Sequence, residues 1–385
     1  MTFQTYGDAA MQLTRLTFYR VRMPLLHPFE TSFGRITHRE CIIVEAEDEA
    51  GHIGWGECPA DRDPGYAYET TGTAWHVLEE FLGPAALQAP LDDEAPAAAF
   101  QQRVRAVRGH PMAKAGLEMA LWDLQGQRTG RSLRALLGGV RERVPVGVSI
   151  GLQPSTEALV RRVGDFLALG YRRIKIKIKP QRDVSEVAAV RRAFPEVPLQ
   201  VDANSAYTLE TARALKPLDD FNLLLIEQPL AEDDLWDHHK LQAEFRTPIC
   251  LDESIVTPRH ARQALEMDAA RVINIKQGRV GGLVNAVAIH DLARAQGVPV
   301  WCGGMLETGI GRAANLALAS LPNFALPGDI SATDRYYARD ITHERFTLNG
   351  DGTITVPDAP GLGVTIDRAA LAAYTLRSTR LLMPA

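Results

Sequence analysis

Five charged residues recur at nearly constant spacing through the middle of this chain. They are Lys177, Asp202, Glu227, Asp252 and Lys276, separated by 25, 25, 25 and 24 positions. Each closes a short apolar run: IKIKIK, LQVDAN, LLLIEQP, PICLDES and VINIKQ. About 25 residues hold one strand, one helix and two loops, so this period puts the five side chains at equivalent ends of successive parallel strands. In a (β/α) barrel the C-terminal strand ends converge on one mouth, where catalytic groups gather. Three carboxylates flanked by two lysines at one mouth make a site.

The rest of the chain supports that reading. Helical stretches such as TEALVRRVGDFLALG, VSEVAAVRRAFP, PRHARQALEMD and NAVAIHDLARAQG separate the runs. Further strand candidates are VPVGVSI before the ladder and VPVWCGG after it, with a weaker eighth element near NFALPGD. Alternating strands and helices give a parallel sheet, and eight repeats can close it. Upstream, residues 13–60 alternate apolar and polar positions, and EDEAGH supplies the turn of an antiparallel hairpin. HPFETSFGRITH between these strands reads as a polar loop. From Glu69 to about Gly139 the pattern is helical, with Ala115, Met119, Trp122 and Leu133 among the expected buried positions. The expected division is an N-terminal α+β domain over 1–139, a barrel over 140–334, and a segment over 335–385 that packs back on the first domain.

Bulk properties narrow the class. A formal charge of −5 offers no electrostatic reason to expect nucleic acid or an anionic membrane as partner. No apolar stretch approaches the ~20 residues that span a bilayer. MTFQTYGDAAMQ lacks the basic start and apolar centre of a signal peptide, and Met1 and Met11 are both possible starts. Cys41, Cys58, Cys250 and Cys302 are scattered without metal-binding spacing, as expected for buried free thiols in a reducing cytoplasm.

Three unpaired carboxylates on adjacent strand ends would repel, and a bound cation resolves this. All-oxygen ligation favours magnesium, held by Asp202, Glu227 and Asp252. Lys175 and Lys177 share one strand at i and i+2, so both point into the barrel. Neighbouring ammonium groups disfavour each other's charge, which suits Lys177 to act as a general base near neutral pH. Lys175 is either its tuning partner or a neutraliser of the acids. Lys276 stands across the mouth, so two lysines can reach opposite faces of one carbon. Asn204 and Ser149 are further candidate contacts, and the glycine-rich turn CGGMLETGIGR offers backbone N–H groups to an anion.

The K-x-K pair, the strand-end Asp, Glu and Asp, and the later Lys together resemble the enolase superfamily, in its muconate-lactonizing subgroup. Lys or His bases with magnesium are a known pattern of that superfamily. The resemblance covers almost the whole chain, including GWGE and EMALWDLQGQ. It implies a modified TIM barrel, (β/α)7β, closed by an α+β capping domain built from the N-terminal part and the C-terminal tail. FETSFG, VDANSAY, IEQPL, LDES, INIKQGRVGG and WCGGMLETGIGR look most like N-acylamino acid racemases. These form a family with the o-succinylbenzoate synthases of menaquinone synthesis, and members often assemble as homo-oligomers. By this resemblance Lys177 and Lys276 are the acid/base pair and Phe29 and Ser32 lie on a specificity loop. Ser149, Asn204, Gly304, Met305 and Leu306 touch the substrate, and manganese or cobalt can replace magnesium.

One departure narrows the class. Related dipeptide epimerases bind a free ammonium with D-x-D near the eighth strand, and here that stretch reads Asp329, Ile330, Ser331. An acylated nitrogen suits it better. The expected reaction is magnesium-dependent removal of the proton α to a small-molecule carboxylate, racemising N-acylamino acids and also forming o-succinylbenzoate. The alternatives are the synthase reaction alone, a muconate-type cycloisomerase, or a catalytically silent metal-binding homologue.

Overall fold

The computed structural model describes residues 10–31 and 34–384. Ser32 therefore lies outside the described residues, as does the start at Met1. An antiparallel sheet opens the chain, with β1 (Leu13–Thr31), β2 (Gly34–Asp48) and β3 (Ile53–Cys58) as a meander. Asp48 shapes the second turn, its Oδ1 accepting from the N–H groups of Ala50 and His52 at 3.0 and 2.8 Å. The expected polar loop is instead an extension of the first hairpin. Phe29, Glu30 and Thr31 pair with Ile36, Arg35 and Gly34 beyond a register shift after Pro24. Its side chains are mostly exposed, so polarity misleads there, because backbone pairing alone makes this finger a strand.

The cap sheet is buried on both faces, which explains the unbroken run CIIV in β2. Ile42 and Val44 join Leu16, Phe18, Trp75 and Leu121 in the cap core. Cys41 and Ile43 face the other way and join the barrel core. Helix α1 (Pro111–Thr129) crosses β3 where Gly56 meets the carbonyl of Gly116, and a side chain at either position would collide with backbone. Met119, Ala115 and Leu133 are buried as expected, whereas Trp122 is only half-buried. Strand β11 (Thr375–Leu382) pairs antiparallel with β1 and so joins the cap sheet.

The barrel sheet runs β4 (Val148–Ile150), β5 (Ile174–Lys177), β6 (Leu199–Asp202), β7 (Ile226–Glu227), β8 (Ile249–Leu251), β9 (Val272–Ile275) and β10 (Val300–Cys302). All seven are parallel and adjacent in chain order. The weak eighth element is irregular but spans both edges. Ala325 and Asp329 donate to the carbonyls of Val300 and Cys302 at 3.1 and 2.8 Å. On the other side Gly328 donates to Pro145, and Gly147 to Gly328, at 3.1 and 2.7 Å. The ring therefore has eight places.

Two buried carboxylates fasten cap to barrel. Glu57 of β3 accepts from the N–H and hydroxyl of Thr308, at 3.1 and 2.6 Å, and from Gly311 N–H at 3.0 Å. These groups open the helix Gly309–Ala319, whose first N–H groups lack internal partners. Glu118 of α1 accepts from Val284 N–H at 2.8 Å, at the start of Leu283–Ala295. Both sites carry the positive end of a helix dipole, which offsets part of the cost of burying a carboxylate.

Candidate active site

The ladder residues stand where the period puts them. Lys177, Asp202 and Glu227 are the last residues of β5, β6 and β7, and they pair in register side by side. Asp252 and Lys276 immediately follow β8 and β9. All five are buried, with Lys177 8% and Lys276 7% exposed. β5 and β9 lie four places apart in a ring of eight, so their lysines enter the mouth from opposite sides.

Buried cations stand between the acids. Among the described residues no three His, Cys, Asp or Glu side chains stand together as a ligand set. Lys175 Nζ lies 3.1 Å from Asp202 Oδ2, 2.8 Å from Glu227 Oε2 and 2.5 Å from Asp329 Oδ2. Lys177 donates to Asp202 at 2.6 Å and to Asn204 Oδ1 at 2.6 Å. Asp252 turns to Lys276, at 2.7 Å, to Arg279, and to the Tyr66 hydroxyl at 2.9 Å. Repulsion between the acids is relieved by buried cations.

At Lys175 these pairs outweigh the crowding that was expected to lower lysine basicity. Burial disfavours the Lys175 ammonium, but Asp329, Glu227 and Asp202 outweigh it and hold the proton more tightly than usual. Burial likewise opposes charge on Lys276, and Tyr66, Glu227 and Glu253 outweigh it. Burial works against ionised Asp202, yet Lys177 and Lys175 hold it below its ordinary range. Glu227 goes the other way, pushed up by burial and then by the charge of Asp202. Burial, with the charge of Asp202 next, raises Glu253 to about 7.

The donor chemistry fits a divalent cation. With every acid ionised, as a bound cation would favour, Asp202, Glu227, Asp252, Glu253 and Asp329 are matched in number by Arg173, Lys175, Lys177, Lys276 and Arg279, all buried. A lysine that serves as base must give up its proton, which leaves one negative charge in excess. A divalent cation together with one substrate carboxylate restores neutrality. Glu253 Oε2 is also buried without a hydrogen-bond partner, a spare oxygen beside the ladder.

The mouth opens into a cavity of about 290 Å³. Phe29, Ser149, Asn204, Gly304, Met305 and Leu306 line it, with Lys175, Lys177 and Lys276. Asn204 and Leu306 hold left-handed backbone, φ 42° and 58°, which non-glycine residues adopt mainly where surroundings impose it. Ser149 Oγ is buried without a partner. Asn204 donates to Glu253 Oε1 at 2.8 Å, so it links the Lys177 side of the mouth to Glu253.

Sequence reasoning overlooked several members. Arg173 is fully buried and donates to Asp329 at 2.6 Å; it continues the inward alternation of Lys175 and Lys177. Asn274, two residues before Lys276, donates to Glu227 Oε1 at 2.7 Å. Glu253 and Arg279 flank ladder rungs. Tyr66 comes from the cap, and no period in the barrel points to it. Asp329 is already paired with Arg173 and Lys175, which weakens its attraction for a free ammonium.

Comparison with known proteins agrees with this geometry. Residues 14–138 match the mandelate racemase / muconate lactonizing enzyme N-terminal domain, and residues 158–370 match the enolase C-terminal domain-like family. The chain belongs to the enolase superfamily. It is 50% identical to an o-succinylbenzoate synthase of Geobacillus stearothermophilus over 366 residues, 95% of this chain and 96% of that one. An N-succinylamino acid racemase of Amycolatopsis is 51% identical over 355 residues, covering 92% and 95%. The crystal structure of an enolase superfamily member from Listeria innocua superposes with a TM-score of 0.92 at 40% identity, covering 97% of this chain and all of that one. Like these relatives, this superfamily member is an enzyme.

Proposed function

We propose that this enzyme racemises N-acylamino acids, N-succinylamino acids foremost, by a two-lysine mechanism. The observation that carries the reading is that Lys177 and Lys276 line one cavity from strands on opposite sides of the ring. One lysine takes the α-proton from one face of the substrate, and the other returns a proton to the opposite face. Asp202, Glu227 and Asp252 are the residues to hold magnesium, or manganese or cobalt in its place. When bound, the cation supplies positive charge to the substrate carboxylate, whose electron density grows as the α-proton leaves. Lys175 is a positioning residue that spans Asp202, Glu227 and Asp329. Ser149, Asn204 and residues 304–306 orient the substrate, Phe29 selects it from the finger, and Ser32 shares in that selection.

The name of the Geobacillus relative favours a second activity, formation of o-succinylbenzoate. In that reaction Lys177 removes the proton and then assists loss of hydroxide, while Lys276 acts as a fixed cation. Both reactions begin with the same proton removal, so one site serves both.

The test is incubation of N-succinyl-L- and N-succinyl-D-amino acids in deuterated water, with and without magnesium. Deuterium at the α-carbon of both enantiomers, dependent on magnesium, is expected. Its absence from both would sink the racemase reading, and formation of o-succinylbenzoate alone would leave the synthase.

We also read residues 1–139 and 335–385 as the cap, 140–334 as the barrel, and the protein as a cytoplasmic homo-oligomer. Leu376 and Leu382 are exposed along the outer strand of the cap sheet and Met383 just beyond it, which supports self-association. Light scattering that returns a monomer mass at micromolar concentration would refute it.

A further inference from the structure

A second cavity, also about 290 Å³, lies between the finger and the loop that follows β4. His27, Phe29 and Glu30 of the finger form one wall, and Arg162 and Arg335 form another. Phe29 lines this cavity and the active site alike.

Its positive charge has little to answer it. The guanidinium groups of Arg162 and Arg335 both lie over the Phe166 ring, 4.4 and 5.0 Å from its centre. Among the described residues the one carboxylate in ion-pair reach of Arg162 is Asp165, at 3.8 Å and itself largely exposed, so solvent screens it. Among the described residues Arg335 has no carboxylate within ion-pair distance. Its Nη2 reaches the Ser149 carbonyl at 3.4 Å, and its Nε is buried with no partner at all. Glu30 is the single acid among the lining residues. Two guanidinium groups and an imidazole line one polar cavity, and the planar guanidinium fork is the group that pairs best with an oxyanion.

We propose that this cavity binds a small oxyanion of the carboxylate or phosphate class between Arg162, Arg335 and His27. The oxyanion has two possible sources. It is the terminal carboxylate of the substrate's acyl group, reaching past Phe29, or it is a free anion that ties the finger to the barrel. The first source rests on the racemase reading; the site itself does not.

Calorimetric titration of the full chain with inorganic phosphate, and separately with succinate, tests the site at fixed chloride concentration. Saturable one-site binding is expected in the wild type, and at least tenfold weaker in Arg162→Gln and in Arg335→Gln. Thermal melts verify that the variants fold. Turnover of N-succinyl and N-acetyl amino acids then separates the sources. If the acyl carboxylate is the ligand, Arg162→Gln lowers kcat/KM about tenfold for the N-succinyl substrate alone, and phosphate competes with that substrate alone. If the ligand is a free anion, both substrates respond alike and phosphate does not compete. No saturable binding of either anion, or equal binding by wild type and both Gln variants, would overturn the proposal. Anion binding without turnover of either substrate would instead count against the racemase reading.

Discussion

Gly303 follows β10 where the side chains of Asn274 in β9 and of Lys276 just after it need its space. A methyl group there would lie 2.6 Å from Lys276 Cε and closer still to Asn274 Oδ1. Gly303→Ala is therefore expected to push Lys276 away from Asp252 and lower kcat by about 10- to 100-fold, since a shift near 1 Å in a reacting group costs that much. Steady-state kinetics beside circular dichroism checks it, and an unchanged kcat would mean that Lys276 has freedom the packing denies. Asp329 gives a stability test. It is the partner of the fully buried Arg173 and of Lys175, so Asp329→Asn leaves a buried guanidinium without its countercharge. Breaking such a pair costs about 3–5 kcal/mol. Urea denaturation should register that loss, and an unmoved midpoint would contradict the pairing.

The elements are held together by buried carboxyls at helix ends, and these titrate. Burial pushes Glu118 up to about 7 from 4.5, and burial with the charge of Glu307 does the same to Glu57. The fold then binds those protons more tightly than the unfolded chain does between pH 4.5 and 7. Their contribution is complete below that window and is lost as pH rises through it. Histidines held low by burial, such as His238 and His290, act in the opposite sense, but they cancel in a comparison with a point variant. The stability advantage of wild type over Glu118→Gln should thus shrink between pH 5 and pH 7, by on the order of 1 kcal/mol per pH unit. A constant advantage would show that Glu118 is not held protonated by burial. Glu57 and Glu118 stand in GWGE and EMALWD, yet nothing in those words names their partners 166 or more positions away. The finger was misread for a related reason, because side-chain polarity reports burial and says nothing of backbone pairing.

Across the whole molecule, the sequence is most informative where chemistry repeats with the fold. Lys177, Asp202, Glu227, Asp252 and Lys276 were legible because a strand–helix period carries them to one rim, and pairing of Lys177 with Asp202 and of Asp202 with Glu227 follows the same register. Arg173 and Asn274 obey the two-residue alternation of the same strands and were readable in principle. Tyr66 was not, since it reaches the mouth on a cap loop whose placement depends on how two domains dock. Ion pairing was also hidden. Period and composition place charges together, but which lysine spans which acids depends on side-chain reach. The central claim concerns two of those lysines acting on opposite faces of one carbon. Its most direct test is α-proton exchange in deuterated water by Lys177→Ala and Lys276→Ala, with each enantiomer supplied separately. Racemisation should fall by about 10²- to 10⁴-fold in both variants, the usual contribution of a positioned acid or base. Each variant should keep exchange for one enantiomer, and not the same one. Racemisation at the wild-type rate by either variant, or loss of the same enantiomer's exchange in both, would contradict two opposed lysines.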